Sequence, residues 1–386
     1  MAITSHSSST VMDDRASDTL HFGVGCFGLI ARRTGSPLLR PSGYAALVRD
    51  LLKSFPAAGN IVINTGRSDE PRPLTVQDHT ILPGVELPHA GLAFFSCQFD
   101  LHIPEHIQNE LSPLGSLPGT EDFRIHVKHT DFGPVCFVLL LHPHGTPDPS
   151  SGVMMVCRYL SQETPRLGNK LAFDVMEPTP FHAGFSLSMS HSGERDPGHR
   201  FQAECVRPRG HASVAFRRDF QPDTDPDDAL NELFEELLDE LGLYYHIVRG
   251  NQAAFRMWEG LQKQVEALLG STRQSGLTGI RRMRRGSGAI YDLHTVLVEF
   301  EAREIFRKEQ DAHRIRQLYG LSAPTYLRAF IDAAVSESPT YPLSGVKSLL
   351  EFLEGRRSKT LELLIVMLSA LVGGLAGAVI TAALQG

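Results

Sequence analysis

Phe123–Arg124–Ile125–His126–Val127–Lys128 alternates apolar and polar residues without a break. Successive side chains of an extended chain point to opposite faces. The stretch therefore reads as a half-buried strand, with Phe123, Ile125 and Val127 on the core side and Arg124, His126 and Lys128 on the other. Outward from it, short apolar runs bounded by Pro and Gly recur at 60–64, 91–99, 132–141, 153–160 and 212–216, and read as further strands. Helical spacing enters at 43–55, where Tyr44, Leu47, Leu51 and Leu52 share a face, and at 104–111. Residues 19–221 thus predict an α+β (or α/β) domain. Residues 1–18, rich in Ser, Thr and Asp, read as a disordered lead-in with no apolar signal core.

The whole chain has 386 residues, 42% hydrophobic and 21% charged, with a net charge of −7. That balance excludes a collagenous, disordered or disulfide-dense chain, and the length calls for more than one structural unit. The mild acidity speaks against nucleic acid as a partner. Five cysteines, an odd number at wide spacings with no Cys-x-x-Cys, exclude a disulfide framework and a four-Cys zinc site. Cys97, Cys136 and Cys157 sit in apolar runs and read as buried thiols.

The character of the chain changes near residue 221. Residues 222–342 predict a domain of long helices. The first, from 228 to 248, carries Leu230, Leu233, Phe234, Leu237, Leu238, Leu241 and Tyr245 as its stripe. Gly250 and Asn251 are expected to break it. A second helix follows at 252–269, a glycine-rich loop at 270–286, a third helix at 291–319 and a short one at 324–335. Residues 343–362 predict a stalk helix.

The stalk leads into Leu363–Leu384, a stretch without a charged residue and long enough to cross about 30 Å of hydrocarbon as a helix. Arg356, Arg357 and Lys359 precede it. The positive-inside rule then places the N-terminal bulk in the cytoplasm and the protein in a membrane as a single-pass, tail-anchored chain. Ser369, Gly373, Gly377 and Thr381 recur every four residues, with Gly374 beside them. This small-residue face is the expected surface for helix association in lipid. The order of parts resembles CorA-type divalent-cation channels in layout alone: their Gly-Met-Asn sequence and second span are absent.

Four patterns raise the question of chemistry. Gly23-x-Gly25-x-x-Gly28 has the letters of a dinucleotide fingerprint but lacks the preceding strand and following helix, so it reads as a glycine-rich first strand. A strand ending in His142–Pro143–His144–Gly145, with Cys205 some sixty residues later, resembles the layout of caspase-like peptidases. On that resemblance His144 would deprotonate the Cys205 thiol. However, Gln202–Ala203–Glu204–Cys205 carries an inserted Glu204 against the family's Gln-Ala-Cys-x-Gly. His126 and His129, three apart on a strand, point to opposite faces, and neither HExxH nor a complete EF-hand loop occurs, so no metal and no cofactor is expected. Finally, Asp223–Glu240 holds nine acids and no Lys or Arg, while Arg281, Arg282, Arg284 and Arg285 form a basic cluster suited to phosphate or another anion.

The sequence as a whole predicts a self-associating, membrane-anchored sensor or effector. Its cytosolic domain would receive a protein or small-molecule signal and act through the terminal span, as a membrane-disrupting defence or stress effector does. A tail-anchored enzyme using His144 and Cys205, or a plain membrane adaptor, is the alternative.

Overall fold

The computed structural model describes residues 19–31, 38–39, 41–65, 72–73, 95–112, 116–130, 132–167, 171–176, 179–190, 200–206, 212–219, 225–273, 279–320 and 324–355, with 358–359, 362, 365–367 and 369 beyond. The elements run β1 (Thr19–Gly25), β2 (Phe27–Ala31), β3 (Leu38–Leu39), α1 (Pro41–Ser54), β4 (Ala58–Asn64), β5 (Arg72–Pro73), β6 (Ser96–His102) and α2 (Glu105–Leu111). Next come β7 (Asp122–Thr130), β8 (Gly133–Leu141), α3 (Pro149–Arg166), β9 (Leu171–Val175), β10 (Ala183–Ser190), β11 (Gln202–Val206) and β12 (Ala212–Asp219). The long helices α4 (Pro226–Arg273) and α5 (Gly279–Gly320) follow, then α6 (Arg328–Ser336) and a further helix, α7, over 343–355.

Eight strands form one mixed sheet in the order β11-β12-β10-β1-β8-β7-β6-β4. Among the described strands only β10 and β12 pair in parallel. Central β8 is buried on both faces, which is why it reads as a continuous apolar run. Val135, Phe137 and Leu139 enter one core, and Cys136, Val138 and Leu140 the other. On the second side lie α1 and α3, with Phe123, Ile125 and Val127 of β7 beneath them. On the first side lies the beginning of α4 with α6. There Phe234 stacks on Phe137 at 4.0 Å between centroids and meets Phe22 edge-on at 5.1 Å.

The chain divides into two compact units. One comprises Met1–Arg249 and Arg314–Ser336, the other Gly250–His313 and Glu337–Gly386. The helical stretches 225–249 and 314–336 therefore belong with the sheet. The second unit has its own core, built from Trp258, Leu261, Leu268, Leu293, Leu297, Phe300, Leu350 and Leu353.

The α+β reading of the N-terminal part agrees with this sheet, but the C-terminal transmembrane helix does not stand. Among the described residues no helix is long and apolar enough to cross a membrane. The expected stalk is also used otherwise: α7 buries Leu350 and Leu353 in the core of the second unit. The single-pass, tail-anchored membrane placement with a cytoplasmic N-terminal bulk is corrected with it. Ser369 is helical and exposed. Gly373, Gly374, Gly377 and Thr381 lie outside the described residues, as does the lead-in 1–18.

Two further expectations change. The run 153–160 is helix, inside α3. Asp148 caps that helix by accepting from the Ser151 N–H at 3.1 Å, and Pro149 occupies its first turn. Helix α4 continues through Gly250. A side chain there would begin 3.1 Å from Arg307 Cδ, so the glycine serves a close approach within the second unit rather than a break.

Candidate functional site

The strands β4, β6, β7 and β8 bring one set of ends together. In the pairing register His102 faces Asp122, Asp122 faces Leu141, and Ala58 faces Leu101. A cleft of about 340 Å³ opens at this end, within the range of small-molecule sites. Ala57, Ala58, Leu101, Phe123 and Leu141 supply its apolar lining. Asp100, His102, Asp122 and His142 supply its polar groups.

Local chemistry fixes these walls. Asn60 and His142 both adopt left-handed backbone, at φ 50° and 48°, a region in which Asn and His are enriched among non-glycine residues. Asn60 lies where the β4–β6 register shifts, and its amide donates to Asp100 Oδ2 at 2.6 Å. His102 Nδ1 lies 2.8 Å from Asp122 Oδ1, and Nε2 lies 3.9 Å from Glu121 Oε2. Behind the cleft, buried Gln108 donates to the carbonyls of Ile103 and Thr120, each at 2.7 Å. The Thr120 hydroxyl donates to the Leu141 carbonyl. These bonds tie the segment before β7 to the ends of β6 and β8.

One wall residue also belongs to a longer chain of charges. Arg124 Nε donates to Asp100 Oδ1 at 2.9 Å, and its Nη1 donates to Asp227 Oδ2 at 2.7 Å. The bond to Asp100 is the main reason the guanidinium pKa rises above its ordinary value. Asp227 lies in the first turn of α4. The next turns repeat the pattern. Arg218 Nη1 of β12 lies 2.8 Å from Glu232 Oε2, and Lys128 of β7 pairs with Glu235. The acidic run thus finds its cations on the sheet of the same unit.

His126, between Arg124 and Lys128, is 5% exposed and meets Phe234 of α4 edge-on at 5.1 Å. Burial first, then Lys128 and Arg124, pushes its pKa down to about 4. Further along α4, buried Glu240 accepts the backbone N–H of Tyr326 at 2.8 Å and that of Leu327, at the start of α6. Burial drives its pKa up to about 7, against the lowering effect of those two donors.

The residues singled out from the sequence do not converge. His144 follows the end of β8 and is held by its N–H to the Gly119 carbonyl at 2.6 Å. Cys205 lies on β11, an outer strand of the sheet, and is exposed. Between β8 and β11 stand β1, β10 and β12, which at about 4.8 Å per strand spacing is roughly 19 Å. The pairing register sets Cys205 level with Leu139 of β8, so it is the width of the sheet between them that keeps His144 and Cys205 from forming a dyad. Arg281, Arg282, Arg284 and Arg285 lie on α5 rather than in a loop, and their side chains are outside the described set. Gly23 and Gly25 let α3 rest on β1: a Cβ on Gly23 would stand 2.4 Å from the Pro149 carbonyl oxygen. Among the described residues no group of three or more His, Cys, Asp and Glu side chains is placed to hold a metal ion.

The sequence reading missed Asp100, His102, Asp122 and the role of Arg124. The signal available was the charged face of Phe123–Lys128 set against an acidic helix start. Comparison with known protein families, curated proteins and solved structures gives no match.

Proposed function

We propose that the protein is a sensor: its sheet unit receives a small, donor-rich ligand, cationic in class, in the cleft at the ends of β4, β6, β7 and β8. Helix α4 reports the occupancy. The observation that carries this reading is the double engagement of Arg124, which holds Asp100 at the cleft and Asp227 on α4. A guanidinium or ammonium group in the cleft competes with Arg124 for Asp100, because two cations held on one carboxylate repel each other and share its single charge. Arg124 released from Asp100 redistributes toward Asp227, and α4 is the element that continues past residue 249 into the second unit. The cleft's apolar lining with a few convergent polar groups supports binding rather than chemistry.

Agmatine, a small guanidinium-bearing amine, is a suitable probe. Saturable binding should accompany a change in amide exchange over the first turns of α4, residues 226–235, and Asp100→Asn should abolish both. Absence of saturable binding, or binding that leaves α4 exchange untouched, would overturn the reading.

A further inference from the structure

His102 stands between two carboxylates in the wall of the cleft. Its Nδ1 lies 2.8 Å from Asp122 Oδ1, and its Nε2 lies 3.9 Å from Glu121 Oε2. An ionised carboxylate can only accept, so Nδ1 carries the hydrogen and the lone pair of the neutral ring is on Nε2. A second proton therefore arrives at Nε2, on the Glu121 side. Glu121 is held in place there, because its Oε1 accepts the Glu105 N–H at 2.6 Å, at the start of α2. His102 is held too: its backbone N–H donates to the Ala57 carbonyl at 2.9 Å. The imidazole side chain is 52% exposed, so protons reach it from solvent.

We infer that a proton on His102 and a cation in the cleft oppose each other, so that the site reads ligand and pH together. Imidazole is the side chain that changes charge in the physiological range. The imidazolium lies between Asp122 and Glu121 and offsets the negative charge that draws a guanidinium or ammonium group to Asp100, two residues earlier on β6. Like charges about 4–6 Å apart in water change an affinity about three- to sixfold. The other charged and titratable groups around the ring do not reverse this sign. Asp100 holds Arg124 on one oxygen and Asn60 on the other, Glu105 opens α2, and His142 follows β8. A proton on any carboxylate or on His142 weakens a bound cation in the same direction, so substitution of His102 alone separates its share. This regulation presupposes that the cleft binds a cation; it does not require the coupling of Arg124 to α4.

Agmatine suits the test, because its guanidinium and amine both keep their charge from about pH 5.5 to about pH 8. Titration calorimetry on the full chain at those two limits should show an affinity that falls toward low pH, about three- to sixfold more in wild type than in His102→Gln. At about pH 6.5, binding to wild type should release protons, read as a heat that varies with the ionisation enthalpy of the buffer. His102→Gln should lose most of that release. A third readout needs no binding by the variant. The His102 imidazole resonances, identified by their loss in His102→Gln, should move toward the neutral form when agmatine is added to wild type. Saturable binding with the same pH dependence and proton release in both chains, or a His102 ring whose protonation agmatine leaves unchanged or increases, overturns this inference and leaves the cation site standing. Absence of saturable binding to wild type at either pH overturns both.

Discussion

His126 and Glu240 are two buried ionisable groups with opposite pH signatures. The His126 pKa is held near 4, below its ordinary 6.5, so the unfolded chain binds the extra proton between those values. Its contribution to stability is complete above pH 6.5 and is lost as pH falls through 4, about 3 kcal/mol in all. Glu240 is raised from 4.5 to about 7, so the folded chain holds the proton longer. Its contribution is complete below pH 4.5 and is lost as pH rises through 7, again about 3 kcal/mol. Between pH 4.5 and 6.5 the two slopes cancel. Urea unfolding at stepped pH should show this by difference. Relative to wild type, Glu240→Gln gains stability with rising pH, and His126→Phe loses it. Equal profiles for all three proteins would refute the assignment. Gly23 makes a second residue-scale point. Its glycine reflects the approach of α3 rather than a nucleotide, and Gly23→Ala should cost at least about 2 kcal/mol in chemical denaturation, because the obstruction is backbone.

At the scale of elements, α4 is held to the sheet by an aromatic contact and a row of ion pairs. Phe234 sits among Phe22, Phe137 and His126, and Phe234→Ala should cost about 3–5 kcal/mol by leaving a cavity in that core. The alternation at Phe123–Lys128 was legible because one face is buried and the period of two is strict. The stripe on α4 was legible for the same reason at a period of 3.6. The run 153–160 was not, because a short apolar stretch fits a buried strand and a buried helix alike, and Asp148–Pro149 was the decisive but local capping signal. The continuity of α4 through Gly250 was hidden because the reason for that glycine, the approach of Arg307, lies more than fifty residues away in sequence.

At the scale of the molecule, the candidate cleft was the least legible feature. Asp100 and His102 share β6, but Asp122 begins β7 and His142 follows β8, and no spacing rule links the three strands. Only the register of β6, β7 and β8 brings them to one end of the sheet. Charge was legible in part. The acidity of residues 223–240 was plain, whereas its partners Arg124, Lys128 and Arg218 are spread over some ninety residues of sequence. The terminal apolar run shows the opposite failure. Its composition suggested a stalk and a span, yet the preceding helix spends its leucines on the core of the second unit.

The sensor reading rests on coupling between the cleft and α4 through Arg124, and coupling is reciprocal. Asp227 does not line the cleft, so a substitution there reaches a bound cation only through Arg124. Agmatine affinity should therefore be measured by titration calorimetry on the wild-type and Asp227→Asn chains. With Asp227 neutralised, Arg124 engages Asp100 more fully, and affinity should fall about three- to tenfold, or about 0.6–1.4 kcal/mol. An affinity unchanged by Asp227→Asn would contradict the coupling.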